Sequence, residues 1–375
     1  MLSRLSTASL SQRLLSSTFS SKMSTHNLEK LDTSIILSSK NMKIAQFSSR
    51  SYETPKILVT GANGQVGKEL VPYFRLVYGD NNVIASDVNC KSLNSDTISS
   101  DQCRVVDVLN PSNLLEVVEE NSVNTIIHLA AVLSANGEKN PMLAIKINND
   151  GTQNVLEIAR KCKLKVFCPS SIAVFGPQTE KYRTPNCTIT RPTTIYGLTK
   201  VHTELLGEYY HNKFGVDFRS LRYPGVISTK AMPGGGTTDY AVEVFYDAIE
   251  KGQYTCYLRK DTELPMIYMP DLLRGTSDFL SATSAELTSR TYNLGAMSFT
   301  PGQLESCIKQ HFGDFDMFYS PDFRQDIADS WPRNIDSSDA ERDWGWKPHY
   351  DLDAMVHDIV HQFLPEYRTA VPSEL

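Results

Sequence analysis

The stretch from Lys56 to Tyr78 constrains this chain most. A short apolar run, Lys56–Thr60 (KILVT), passes directly into Gly61-Ala-Asn-Gly64-Gln-Val-Gly67, and a helical pattern follows to about Tyr78. Each glycine has its own task between strand and helix. Gly61 permits the tight turn, Gly64 lets backbone approach a pyrophosphate, and Gly67 lets the helix pack closely on the strand. The helix N-terminus presents unpaired N–H groups and a positive dipole end, with Asn63, Gln65 and Val66 around it. A second strand, Val83–Ser86, ends at Asp87, twenty positions after Gly67. A carboxylate there accepts hydrogen bonds from both ribose hydroxyls and repels a 2′-phosphate. A glycine triplet alone also suits a βα turn of some other doubly wound fold. With the acidic residue in place, the segment reads as a dinucleotide-binding turn favouring NAD over NADP. Pro72, inside the helix, predicts a kink.

Strand and helix patterns continue in alternation. Arg104–Val108 reads as a strand that brings Asp107 and Val108 near an adenine, and Pro111–Asn121 as a helix with proline in its first turn. Thr125–Ala131 reads as a buried strand ending in Leu129, Ala130 and Ala131; Asn140–Cys162 holds a long helix. Val166–Ser171 is the next strand and Thr193–Phe214 the next helix. Strict alternation predicts an α/β fold: a Rossmann-type doubly wound parallel sheet, covered on both faces. Residues 52–228 are expected to form this dinucleotide-binding domain. Residues 229–375 are expected to form most of a smaller C-terminal α/β substrate-binding domain. The chain is expected to return to the main sheet around 264–295, through Leu264–Pro270.

Composition narrows the function class. The chain has 375 residues, 37 Lys+Arg against 43 Asp+Glu and a net charge of −6, with no basic stripe, so nucleic-acid binding is not expected. Its longest apolar stretch, around Thr125–Leu133, is about half the roughly 20 residues of a membrane span. Seven scattered cysteines without ligand spacing argue against a disulfide framework or a structural metal site, and for a reducing compartment. Residues 1–51 are Ser-rich and basic, and the first acidic residue is Glu29. That is the composition of a mitochondrial transit peptide, or of a disordered tail, and it points to the matrix.

Chemistry concentrates in two places. Tyr196 and Lys200 stand four apart on one helical face, and Ser170-Ser171 ends a sheet strand on the edge where a cofactor lies. Taken alone, the first pair also suits a solvated helix face, and the serines also suit a cap for the following turn. Together with the Gly61/Gly64/Gly67 turn, Asp87 and His128-Leu-Ala-Ala131, these residues resemble the extended short-chain dehydrogenase/reductase family from about Lys56 to the chain's end. The resemblance implies Tyr196 as acid/base, Lys200 on the nicotinamide ribose and Ser171 orienting the reacting oxygen. In that family's pattern the active serine lies five residues before the glycine of the Val174-Phe175-Gly176 segment, which selects Ser171 over Ser170. Asn148, before Gly151-Thr152, has a structural or proton-relay role in that family; Val88, Tyr223 and Val226 are expected beside the cofactor. A free tyrosine titrates near pH ~10, so the Lys200 ammonium and a positive nicotinamide are expected to lower it.

The second half carries Arg222-Tyr-Pro-Gly-Val-Ile-Ser228, Pro233-Gly-Gly-Gly-Thr-Thr-Asp-Tyr240, Leu264-Pro-Met-Ile-Tyr268, Asp329-Ser-Trp-Pro332 and Asp343-Trp-Gly-Trp-Lys-Pro348. In that order they resemble the threonine-oxidising branch of the family. This implies NAD-dependent oxidation of the 3-hydroxyl of L-threonine to 2-amino-3-oxobutyrate, a homodimer, and coupling to a CoA-dependent ligase that cleaves the product. Gly234–Gly236, with Thr237, forms either a carboxylate cradle or a hinge. Trp331 either closes the pocket or packs in a core. Ser134 is placed for the amino acid's polar end. Inside the fold the rival is a nucleotide-sugar epimerase; outside it, a non-catalytic NAD sensor, which does not need the Tyr/Lys/Ser set.

Overall fold

In the computed structural model, residues 54–90, 102–230 and 235–367 are described; the 1–51 segment and Gly234 lie outside them. Short apolar runs form the strands: β1 (Ile57–Thr60), β2 (Val83–Asp87), β3 (Cys103–Val105), β4 (Thr125–His128), β5 (Lys165–Phe167), β6 (Ser170–Ser171) and β7 (Asp217–Tyr223). Apart from β3, where Arg104 and Val105 are exposed, their residues are largely buried on both faces. Leu58, Ile126 and Val166 face one apolar layer with Leu114, Val118, Val155 and Ala159 from the Pro111–Glu120 and Gly151–Cys162 helices. Val59, Ile127 and Phe167 face the other, with Leu70, Phe74, Leu272 and Phe279. Burial on both faces is why these strands read as continuous apolar runs rather than alternating ones.

The sheet order is β11-β7-β5-β4-β1-β2-β3, with β11 at Thr291–Asn293 and β6 paired to β7. Every pairing in it is parallel. Strand order reverses between β1 and β4, so their C-terminal ends form the switch point at which doubly wound sheets bind ligands. The expected Rossmann-type α/β fold is the one observed.

The chain's later half adds β8 (Gly225–Ile227), β9 (Gln253–Cys256), β10 (Leu264–Tyr268), β12 (Met297–Phe299) and β13 (Asp316–Tyr319). These make a three-stranded sheet β12-β10-β8 and a two-stranded sheet β13-β9. Leu264–Tyr268 therefore pairs beside β8, and it is Thr291–Asn293 that rejoins the main sheet. A separate core fills this part, built on Tyr240, Phe245, Leu258, Met266, Ile308, Val356 and Ile359.

Three local details differ from expectation. The long helix is continuous from Pro141 to Cys162 but carries a π turn at Lys146–Asp150. The strand expected over Val166–Ser171 breaks between β5 and β6, at Cys168-Pro169, because Pro169 has no N–H for a sheet ladder. Cys90 and Cys103 form a disulfide, Cα–Cα 5.7 Å. Register pairs Ala85 with Cys103, and the turn after Asp87 brings Cys90 back beside it, a proximity that sequence spacing does not reveal. The Gln65–Tyr78 helix continues through Pro72.

Candidate active site

The glycine turn is fixed by close backbone approach. Gly61 has φ +74°, and a side chain there would meet the Ala130 amide at 2.6 Å; one on Gly67 would meet the Gly61 carbonyl at 2.5 Å. Neither position tolerates even alanine without moving main chain. Gly64 caps the following helix with no side-chain hydrogen bond, so no side chain competes for the N–H groups of its first turn. Buried Gln65 Nε2 has no partner. Asp87 shapes the rim: its Oδ2 accepts from Asn63 N and its Oδ1 from Asn89 N, both at 3.0 Å.

The other expected cofactor residues fall into two groups. Val66, Leu129, Ala130 and Ala131 are partly buried around the turn, while Val88 stands exposed beyond Asp87. Asp107 is exposed and uses Oδ1 to accept from Leu109 N; Val108 beside it is buried. Tyr223 directs its hydroxyl to Thr276 Oγ1 at 2.6 Å, so only its ring or backbone remains for a ligand. Val226, in β8, packs against the core on the Phe74 side of the sheet. At the end of β4, His128 Nδ1 bonds Thr60 Oγ1 at 2.8 Å and its Nε2 has no partner. Burial, and then the Lys200 charge, push this imidazole down to about 3, so it is neutral.

Tyr196 and Lys200 lie on the Ile195–Phe214 helix, which is capped by Thr194 accepting from Gly197 N at 3.1 Å. Gly197 lets this helix settle onto the Ala173 carbonyl, in the turn after Ser171, where a side chain would collide. The approach places Ser171 near enough to the Tyr196 phenol to favour its ionised form. Lys200 Nζ lies 5.5 Å from the Tyr196 ring centroid and donates to the Pro169 carbonyl at 2.7 Å. The three residues expected to act together are brought together.

Their electrostatics depart from expectation. Burial pushes the Tyr196 phenol up to about 12, against a lowering by Ser171. Burial likewise pushes Lys200 down to about 8, opposed by Cys168 and Glu204. Asn148, in the π turn, accepts from Val132 N and donates to Val132 O and to Thr199 Oγ1. It thereby ties the β4 loop to the Tyr196 helix.

On the opposite side, Gly235 and Gly236 donate their amides to Asp239 Oδ2 at 2.8 and 2.6 Å. The anion held by this glycine turn is the chain's own carboxylate, which burial pushes up to about 6. Thr237 is buried beside it, and Ser134 is buried at the start of the Ser134–Lys139 helix. Trp331 is 6% exposed and belongs to the second core. Lys181 holds the Trp331 segment by donating to the carbonyls of Asp329, Ser330 and Trp331.

Sequence reasoning missed Lys181, the role of Asp239, and a buried cluster of Ser170, Glu204 and Arg222. For Glu204 a signal existed: it stands one further helical turn after Lys200. Among the described residues no group of side chains is arranged to hold a metal ion, and no helix is long and apolar enough to cross a membrane.

Residues 57–295 match the NAD dependent epimerase/dehydratase family. The mitochondrial L-threonine 3-dehydrogenase of Bos taurus is 43% identical over 330 residues, 87% of this chain and 88% of that protein. The crystal structure of L-threonine dehydrogenase from Phytophthora infestans is 51% identical, with a TM-score of 0.80, covering 83% of this chain and 99% of that one. A monomeric L-threonine 3-dehydrogenase of metagenomic origin, in its apo form, is 44% identical, with a TM-score of 0.78 over 82% and 98% of the two chains.

Proposed function

The chain belongs to the NAD dependent epimerase/dehydratase family, and from that premise we propose that it oxidises the 3-hydroxyl of L-threonine to 2-amino-3-oxobutyrate with NAD. The observation that carries this reading is the Ser171–Tyr196–Lys200 group, whose lysine lies near His128 at the end of β4, in a chain about half identical to threonine dehydrogenases over most of its length. The residues present fit the cofactor. The Gly61–Gly67 turn keeps side chains away from the helix N-terminus, Gln65 Nε2 lacks a partner, and Asp87 rims the site with a carboxylate unsuited to a 2′-phosphate. NAD held there by Gly61, Gly64, Gly67, Asp87 and Lys200 would supply the two-electron acceptor.

The chain's own contribution is proton handling and orientation. Ser171 and Tyr196 form a pair of hydroxyls that hold the alcohol oxygen. Tyr196, as phenolate, removes the alcohol proton as the C3–H bond breaks, and Ser171 donates to the forming carbonyl. Burial holds the phenol at about 12 in the chain alone, so the phenolate is scarce near neutral pH and its population rises with pH.

The same reading extends outward. The N-terminal composition and the mitochondrial relative support import into the matrix, and the β-keto acid product suits consumption by a CoA-dependent ligase. The division at residues 52–228 and 229–375 assigns the cofactor mainly to the first part and the amino acid mainly to the second, which supplies Gly235, Thr237 and Trp331 while the first supplies Ser134. Leu198, Leu205 and Tyr209 expose an apolar face on the Tyr196 helix, beside Met142 and Leu143, and this supports a homodimer.

NADH absorbance with purified protein, NAD and L-threonine tests the reading, against NADP, L-serine and L-allo-threonine. Production confined to L-threonine with NAD is expected. Silence with every amino acid, alongside tightly co-purified NAD, would overturn it in favour of an epimerase. Light scattering after gel filtration checks the dimer.

A further inference from the structure

A buried carboxylate lies directly behind the reacting group. Ser170 and Ser171 are successive residues of β6, so their side chains leave opposite faces of the strand. Ser171 meets Tyr196, while Ser170 Oγ donates to Glu204 Oε1 at 2.5 Å. Arg222, the register partner of Ser170 on β7, donates Nε to Glu204 Oε1 at 2.9 Å and Nη2 to Oε2 at 2.8 Å. Arg222 is itself held by the Asn186 carbonyl and Asn293 Oδ1. Glu204 and Lys200 stand one turn apart on the buried face of one helix, and they grip consecutive residues where the chain enters β6. Lys200 donates to the Pro169 carbonyl and Glu204 accepts from Ser170.

Resting on the function proposed above, we infer that Glu204 is a positioning residue for the reaction. Through Ser170 and Arg222 it fixes where Ser171 stands relative to Tyr196, and its negative charge helps keep Lys200 protonated. A salt bridge this deep is a poor stabiliser against an apolar replacement, so stability alone gives little reason for it here. Its placement does give one. Helix and strand must meet with the precision that hydroxyl, phenol and ammonium require, and this cluster joins the Tyr196 helix to β6 and β7 at one point. The charged and titratable groups around Lys200 are His128 from β4, Cys168 ahead of β6, Tyr196 and Glu204 on its own helix, and Arg222 behind Glu204. His128 is neutral and Cys168 is held as a thiol, which leaves Glu204 as the anion facing the ammonium.

Two variants of the full chain separate placement from charge. Ser170→Ala removes one hydrogen bond and no charge. It is expected to lower kcat about ten-fold through misplacement of Ser171, with the NADH dissociation constant within about two-fold of wild type and an unmoved pH profile. Glu204→Gln also strands Arg222. It is expected to lower kcat by about a hundred-fold and to move the Lys200 limb of the pH profile to lower pH. Adding Arg222→Met to Glu204→Gln is expected to move that limb back toward wild type, which a purely structural clamp would not do. Wild-type kcat in Ser170→Ala, or superimposable pH profiles for wild type and Glu204→Gln, would overturn the inference. If Glu204→Gln does not fold, Ser170→Ala decides. NADH fluorescence titrated from pH 6 to 10 needs no amino acid. Should wild type fail to oxidise threonine, the function fails, yet the inference still predicts a lower alkaline midpoint for NADH binding in Glu204→Gln, and coincident midpoints would sink it.

Discussion

On the cofactor side of the switch point, geometry is set by main chain. Gly61 and Gly67 bring the β1 turn, the β4 end and the helix start within distances that exclude a Cβ, and Asp87 is pinned by two backbone amides. On the substrate side it is set by side chains: Asp239 folds the Gly235–Gly236 turn, Lys181 gathers three carbonyls under Trp331, and Asn293 bonds the carbonyls of Thr184 and Asp336. Backbone packing leaves no alternative arrangement at modest cost. A turn held by one partly protonated carboxylate does, and the difference suits a rigid site for the proposed cofactor and an adjustable one for the proposed substrate.

Four measurements would break or sharpen this contrast. Tyr196→Phe removes the proton acceptor and belongs to neither side. Turnover of L-threonine should fall at least ~1,000-fold while NADH binding persists. An equal loss of both would mean that the phenol serves the cofactor site. Gly67→Ala pushes a methyl into the Gly61 carbonyl, so about 2–3 kcal/mol of stability should be lost in denaturant unfolding, together with NAD affinity. A neutral result would show that the cofactor side yields as readily as the other. Asp87→Ala should raise the KM for NAD about ten-fold and narrow the preference over NADP, measured by parallel titrations of the two cofactors.

Asp239→Asn tests the substrate side and should give the smallest effect. The folded carboxyl titrates near 6 against an ordinary 3.8, so the unfolded chain releases this proton first. Ionisation therefore costs the folded state, and the contribution to stability declines as pH rises from about 4 to about 6. The Tm of Asp239→Asn relative to wild type should be more favourable at pH 7.5 than at pH 4. A gap independent of pH would mean that the carboxyl is not strained by burial.

The same contrast explains what could be read in advance. The glycine turn, the alternating elements and the Tyr196/Lys200 helix follow from local rules, because each depends on residues near one another in the chain. The Gly235 turn was legible as an anion holder, but not that Asp239, four residues on, fills it. Lys181 reaches across about 150 positions to Trp331, and Arg222 meets Ser170 only because β6 lies beside β7. The Cys90–Cys103 bridge has the same origin. Contacts of this kind depend on which strands become neighbours, and no spacing announces them. The phenol's raised pKa was hidden for a related reason: it comes from burial, which depends on what packs around the side chain and not on its place in the sequence.

The π turn at Lys146–Asp150 has a consequence for how this chain can vary in length. One such turn holds an extra residue, so the helix beyond it is rotated by about 100° relative to an uninterrupted α-helix. Removing one codon there would re-phase everything from Gly151 to Cys162 against the sheet, or else pull Asn148 away from Val132 and Thr199. A single residue gained or lost in this helix should therefore be tolerated far less readily than one in an exposed connection such as residues 79–81.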